Sequence, residues 1–114
     1  MLVLGMSTSA RASQPFTTGP ITYLHIHVSI TDTRLRLSST TVVRAQTVYF
    51  DVVNYGKLRH NFSISGQQTP ALRHAQAATV VVAFSERGRY RYECSLNCTK
   101  TMRGSILVTA PPAP

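Results

Sequence analysis

Two short stretches of this chain hold most of the side chains able to bind a soft metal. One is Arg59-His60-Asn61-Phe62; the other begins at Cys94, passes Cys98 and ends at Met102-Arg103-Gly104. An imidazole, thiolates and a weak thioether form the donor mix that suits copper cycling between its +1 and +2 states. The stretches are far apart in sequence, so that chemistry needs a fold that carries both to one end of the molecule. The same residues also have plainer readings. Cys94 and Cys98, four apart across a loop, can come within bridging distance, and a disulfide would take both thiolates out of metal binding. His60 alone can be a hydrogen-bonded strand histidine, and Met102 can be core filler. Asn97 offers only a neutral amide, a poor copper ligand. His25 and His27 are two apart on one strand face and read as exposed, and His74 has no partner in sequence. No general acid/base pair or nucleophile–base pair stands out, so hydrolytic and transferase chemistry is not expected, and the chain is not read as an enzyme.

The elements that must position these donors are strands. Leu24, Ile26, Val28 and Ile30 alternate with Tyr23, His25, His27 and Ser29, the pattern of a half-buried strand over 21–30. Leu35 and Leu37 mark a short second strand, and Val42-Val43 a third. Thr47 to Val53 follows, closed by Asn54-Tyr55-Gly56 as a turn. Residues 59–65 read as one strand with His60, Phe62 and Ile64 on a shared face, and 66–75 as loop. Residues 77–84 and 90–94 read as two partner strands joined by a hairpin over 85–89 that contains Gly88. Tyr90, Tyr92 and Cys94 share a face, and 104–109 is the last strand. Seven or eight short strands with no helical period predict an all-β, Greek-key sandwich.

With the strands in place, three segments acquire a family likeness. "VYFDVVNYGKLRHNFSI", "FSERGRYRYEC" and "MRGSILV" resemble the corresponding stretches of plastocyanin- and azurin-like cupredoxins, from about Val42 to Val108. The shared order is strand, Asn-x-Gly turn, His-Asn at the next strand, Phe…Gly-x-Tyr-x-x-x-Cys, then a short loop ending at Met. The resemblance implies one copper ion held by His60, Cys94 and Met102, with Asn61 bracing the ligand loop by hydrogen bonds. It also implies an electron carrier. The loop departs from the pattern at one place: the family carries a second His a few residues after the Cys, whereas here Asn97, Cys98 and Thr99 stand there and no His follows His74. Cys98 is the substitute at hand. The Cys-x-x-x-Cys spacing also resembles the binuclear copper domain of cytochrome oxidase subunit II, but this loop lacks that domain's His as well. A set of one imidazole, two thiolates and one thioether is softer than the blue-copper set and favours Cu(I). Storage or delivery of Cu(I) is therefore an alternative to electron transfer, and a metal-free interaction or structural sandwich with a Cys94–Cys98 bridge is a third reading.

Bulk composition bounds the rest. The 114 residues suit one domain, and 43% hydrophobic with 14% charged content describes a globular chain. Residues 21–109 are expected to form the domain, and 110–114 a Pro-rich tail. The 12 basic against 4 acidic residues leave a formal charge of +8. The arginines are scattered along the chain, and Arg89 and Arg91 alternate with Tyr90 and Tyr92 so that the two pairs face opposite ways. That argues against nucleic acid and for an acidic redox or copper-exchange partner reached by long-range attraction. The row Arg87, Arg89, Arg91 reads as a solvated strand face that can also dock such a partner. Residues 1–12, with a short apolar run and Ala10-Arg11-Ala12, read as the remnant of an export signal, and 13–20 as a leader. Export places the protein in the periplasm or elsewhere outside the cytoplasm. No segment has the length of apolar sequence that a membrane-spanning helix needs.

Overall fold

A computed structural model describes residues 23–113; the expected export remnant and leader lie outside them. Nine strands, and no helix, are formed among the described residues: β1 (Leu24–Ile30), β2 (Leu35–Leu37), β3 (Thr41–Val42), β4 (Thr47–Asn54), β5 (Ser63–Ile64), β6 (Gln67–Gln68), β7 (Ala77–Ala83), β8 (Gly88–Glu93) and β9 (Arg103–Val108). They build two sheets. One has the order β2-β1-β4-β7, the other β3-β9-β8-β5-β6. β1 and β4 run parallel, as do β3 and β9, while the remaining pairs are antiparallel. Parallel neighbours cannot be joined by a tight turn, so the chain must cross between layers to make them.

The alternation in sequence becomes the inside and outside of the sandwich. Ile26, Val28 and Ile30 of β1, Val48, Phe50 and Val52 of β4, and Val80 and Val82 of β7 face inward. They meet Phe62, just ahead of β5, and Ile64, Tyr92, Ile106 and Val108 from the other sheet. Phe50 lies at the aromatic centre, 5.7 Å from Phe62 and 6.3 Å from Phe84 between ring centroids. The outward residues of β1 include His25, whose Nδ1 donates to Asp51 Oδ2 at 2.8 Å and whose ring stacks on Tyr49.

Two expected connections differ. Residues 85–89 do not close a hairpin: β7 pairs with β4, and β8 pairs with β9 and β5 in the opposite sheet. The segment is a crossover between layers. Phe84 and Tyr90 are both turned toward the core side, with centroids 4.7 Å apart, and Tyr90 Oη donates to the Glu86 carbonyl at 2.6 Å. Residues 59–65 are likewise not one continuous strand. His60 makes an isolated bridge to Leu72, and regular pairing starts only at Ser63. The loop after it contains the two-residue strand β6, and Ser65 and Gly66 take φ of 49° and 78° to make the tight reversal before it.

Candidate metal centre

Three segments converge at one end of the sandwich. The first is the β1–β2 turn, Thr31-Asp32-Thr33-Arg34, closed by Thr31 N–H to the Arg34 carbonyl at 2.8 Å and by Arg34 N–H to Thr31 Oγ1 at 3.0 Å. The second is the stretch after β4. Asn54, fully buried, accepts from Gly56 N–H at 2.8 Å and donates to the carbonyls of Leu58 and Leu72 at 2.9 and 2.7 Å. Leu72 in turn exchanges backbone hydrogen bonds with His60 at 3.1 and 2.8 Å. One asparagine thereby fixes the path that delivers His60. His74 adds a contact to the same turn, from Nδ1 to the Gly56 carbonyl at 2.9 Å.

The third segment is the loop from Cys94 to Met102. Cys94 N–H donates to the Met102 carbonyl at 3.0 Å, and Met102 N–H to the Thr99 carbonyl at 3.1 Å, so the loop is pinned at its base. Its first residues are held by Asn61, whose Oδ1 accepts from Ser95 N–H at 2.8 Å and Leu96 N–H at 3.1 Å while its Nδ2 donates to Ser95 Oγ at 3.0 Å. The expected bracing role of Asn61 is thus visible in its hydrogen bonds. Asn61→Ala leaves the loop's backbone donors without that acceptor, an effect of about 1–3 kcal/mol where water cannot fully replace it. Faster amide hydrogen exchange at Ser95 and Leu96 is the expected signature, and unchanged exchange at both would contradict it.

His60 is completely buried, Cys94 nearly so, and Cys98 half-buried. His60 Nδ1 lies 3.3 Å from Cys98 Sγ, 3.8 Å from Cys94 Sγ and 3.1 Å from the Leu96 carbonyl oxygen. One donor atom from each of the three residues falls within 4.8 Å of the others. Cys94 and Cys98 are joined as a disulfide, with their Cα atoms 5.8 Å apart. Met102 is buried, with Sδ 3.4 Å from Thr99 N inside the same loop. Asn97 turns away, donating to the Arg59 carbonyl at 3.0 Å with its own φ at 54°.

The residue that sequence reasoning missed is Asp32. Its Oδ1 lies 2.9 Å from His60 Nε2 and accepts from Leu58 N–H at 3.0 Å, while Oδ2 accepts from Lys57 N–H at 3.0 Å. Leu58 N–H first, then His60 and Lys57 N–H, hold this carboxyl down at about 2, so it is a carboxylate at neutral pH. Only its type, an Asp in a Thr-flanked turn, was visible in sequence, and that reads as ordinary turn chemistry.

With the Cys94–Cys98 bridge reduced, the donor chemistry fits a soft cation. Nδ1 of His60 would then face a carbonyl oxygen and two sulfurs, all of them acceptors once the thiols have lost their protons. Such a concave arrangement is satisfied by a proton on Nδ1 or by a metal ion in its place. An imidazole with two thiolates suits copper or zinc and not magnesium or calcium.

No protein-family model and no curated protein matches the sequence. Solved structures do match. Auracyanin A, a "blue" copper protein from the green thermophilic photosynthetic bacterium Chloroflexus aurantiacus, aligns with a TM-score of 0.60 at 13% identity over 77% of this chain and 100% of its own. Auracyanin B aligns with a TM-score of 0.57 at 15% identity, covering 84% of this chain and 94% of its own. A blue copper oxidase from Nitrosomonas europaea gives 0.60 at 17% identity over 82% of this chain, which spans only 41% of the oxidase. In fold, therefore, the chain is a cupredoxin-like sandwich, with His60, Cys94 and Cys98 gathered at one end of it.

Proposed function

We propose that the chain, with Cys94 and Cys98 reduced, would hold one copper ion through His60 Nδ1 and the two thiolates, with Met102 as a further weak donor, and would transfer single electrons. The observation that carries this reading is the approach of one imidazole nitrogen and two sulfurs to within 4.8 Å of one another beneath a pinned loop. Bound copper would supply one-electron redox chemistry. The protein's part is to keep the donors in place. Asn61 and the Cys94–Met102 pairing hold the loop, Asn54 holds the path to His60, and burial keeps bulk water from His60 and Cys94. A cage held from outside favours little rearrangement between oxidation states. Half-buried Cys98 is the donor nearest solvent, and exposed Lys57, Arg59 and Lys100 lie on the segments around it. They suit an acidic redox partner, in keeping with the overall charge of +8. The exposed arginines of β8, Arg89 and Arg91, offer a second basic face. Export to the periplasm or another extracytoplasmic compartment belongs to the same proposal, supported by the apolar start and the Ala10-Arg11-Ala12 pattern.

The disulfide favours a second reading, a metal-free interaction module, because a bridged pair offers no thiolate. The two are separated by reducing the purified protein, removing the reductant anaerobically and adding one equivalent of Cu(II). An intense visible thiolate-to-copper band, absent in Cys94→Ser, is expected for the electron carrier. A colourless protein that retains Cu(I) against a competing chelator points to copper storage or delivery instead. Failure to hold either ion, with no titratable thiol in freshly isolated protein, leaves the metal-free module.

A further inference from the structure

The single proton of a neutral imidazole can serve only one side of His60. On the Nε2 side stands the Asp32 carboxylate, 2.9 Å away; on the Nδ1 side stand the Leu96 carbonyl, 3.1 Å away, and Cys98 Sγ, 3.3 Å away and uncharged in the Cys94–Cys98 bridge. A proton on Nδ1 would cap the nitrogen that faces both sulfurs. It would also turn the Nε2 lone pair against a negative carboxylate. A charged acceptor binds a donor more strongly than a neutral carbonyl does, so the competition is decided in favour of Nε2–H.

We propose that Asp32 is the positioning residue of this centre: it holds His60 as the Nε2–H tautomer, keeps the Nδ1 lone pair aimed at Cys94 and Cys98, and adds negative charge that favours a divalent ion there. The first part concerns His60 alone; the effect on the ion rests on the metal reading above.

The surroundings are built for this contact. Lys57 and Leu58 N–H donate to the two carboxylate oxygens and hold the side chain from a second segment. Gly56 lies directly against the pair. A Cβ at that position would sit 3.0 Å from His60 Nε2 and 2.9 Å from Asp32 N, and would overlap Asp32 Oδ1 outright. A side chain at position 56 and the Asp32–His60 bond therefore compete for the same space. A carboxylate on the remote nitrogen makes an imidazole a stronger donor and fixes its ring. In a set with two soft sulfurs, that adds to the imidazole's own pull toward Cu(II) rather than Cu(I).

The test reads the tautomer directly and needs no metal. Long-range proton–nitrogen NMR of ¹⁵N-labelled protein with the Cys94–Cys98 bridge intact, at mildly alkaline pH, should report Nε2–H at His60. In Asp32→Ala the proton should move to Nδ1 and bond the Leu96 carbonyl. Nδ1–H in the parent protein overturns the proposal on its own, whether or not the variant folds; so does an unchanged Nε2–H tautomer in a folded Asp32→Ala. Asp32→Asn keeps an oxygen for the backbone donors and removes the charge. Once both proteins are reduced, its affinity for Co(II), a divalent ion that does not oxidise thiols, should fall about 10- to 100-fold against the parent, with a smaller loss for Cu(I). Equal losses for the two ions would remove the charge preference and leave only the tautomer role. Should the parent bind neither ion, the metal reading fails while the NMR result still decides what Asp32 does.

Discussion

His60→Ala is expected to abolish retention of Cu(II) by the reduced protein. Loss of an outer partner of a metal ligand lowers affinity about 10- to 100-fold, and loss of the only imidazole in the cluster should exceed that. The remaining donors would be two sulfurs and Met102, a set with nothing to hold Cu(II) against reduction, so the thiolate-to-copper band should be lost even where some Cu(I) is kept. The variant should also be less stable. His60 has no exposed surface, and removing it leaves a void between Leu72, the Cys94–Met102 loop and the Asp32 turn. Large-to-small changes at such sites lower stability by about 2–5 kcal/mol. Metal titration and urea denaturation of the same preparation separate the two effects. A folded His60→Ala protein that binds copper as its parent does would remove the imidazole from the ligand set. The electron-carrier reading would then have lost its observation.

Phe50→Ala should be the most destabilising of the simple core truncations, by about 3–5 kcal/mol. Phe50 lies on β4, between β1 and β7, and its ring touches the aromatic layer contributed by Phe62 and Phe84. It is fully buried, and neither sheet can move inward to fill the space without breaking the register that pairs β4 with β1 on one side and β7 on the other. A loss of that size is a large share of the roughly 5–15 kcal/mol that holds a small domain together. The urea midpoint should drop steeply with little change in slope. A shift corresponding to less than about 1 kcal/mol would mean that the core relaxes around the gap, contrary to the packing described. The donor cluster, built from loops at one end, should keep its geometry in the molecules that remain folded, because no polar partner of His60 is touched.

The two substitutions act on different layers of the same design. Phe50 belongs to the dry interior that makes the sandwich, and His60 to the polar end that the sandwich holds together. Between them stands Asn54, whose three hydrogen bonds turn the end of a core strand into the approach to the site. A buried polar group with all its partners is strongly specifying, because any rearrangement leaves one of them unmet.

Much of this was legible in the chain. Alternation along 24–30 and 47–54 identified the inward residues, because on a strand the side a residue faces follows from its position alone. His60, Cys94 and Cys98 could be placed together since strand ends and a short loop carry them, and the likeness to cupredoxin segments supplied the order. Asn61 was recognisable for the same reason. What could not be read was which strand lies beside which. Residues 77–83 and 88–93 look like a hairpin, with a Gly between two strand-like runs, yet they belong to opposite sheets. Strand period is a local property, whereas strand partners depend on how the whole chain closes. Asp32 escaped for a related reason: it reaches His60 across 28 positions, and nothing in a Thr-Asp-Thr turn announces a distant imidazole. The amino-acid order alone thus determined which side chains are buried, which can donate to a metal, and the broad architecture. Only the folded arrangement decided that the two cysteines touch, that a carboxylate backs the histidine, and that a carbonyl competes for its proton, since each is a directional contact set by a few tenths of an ångström between segments far apart in the chain.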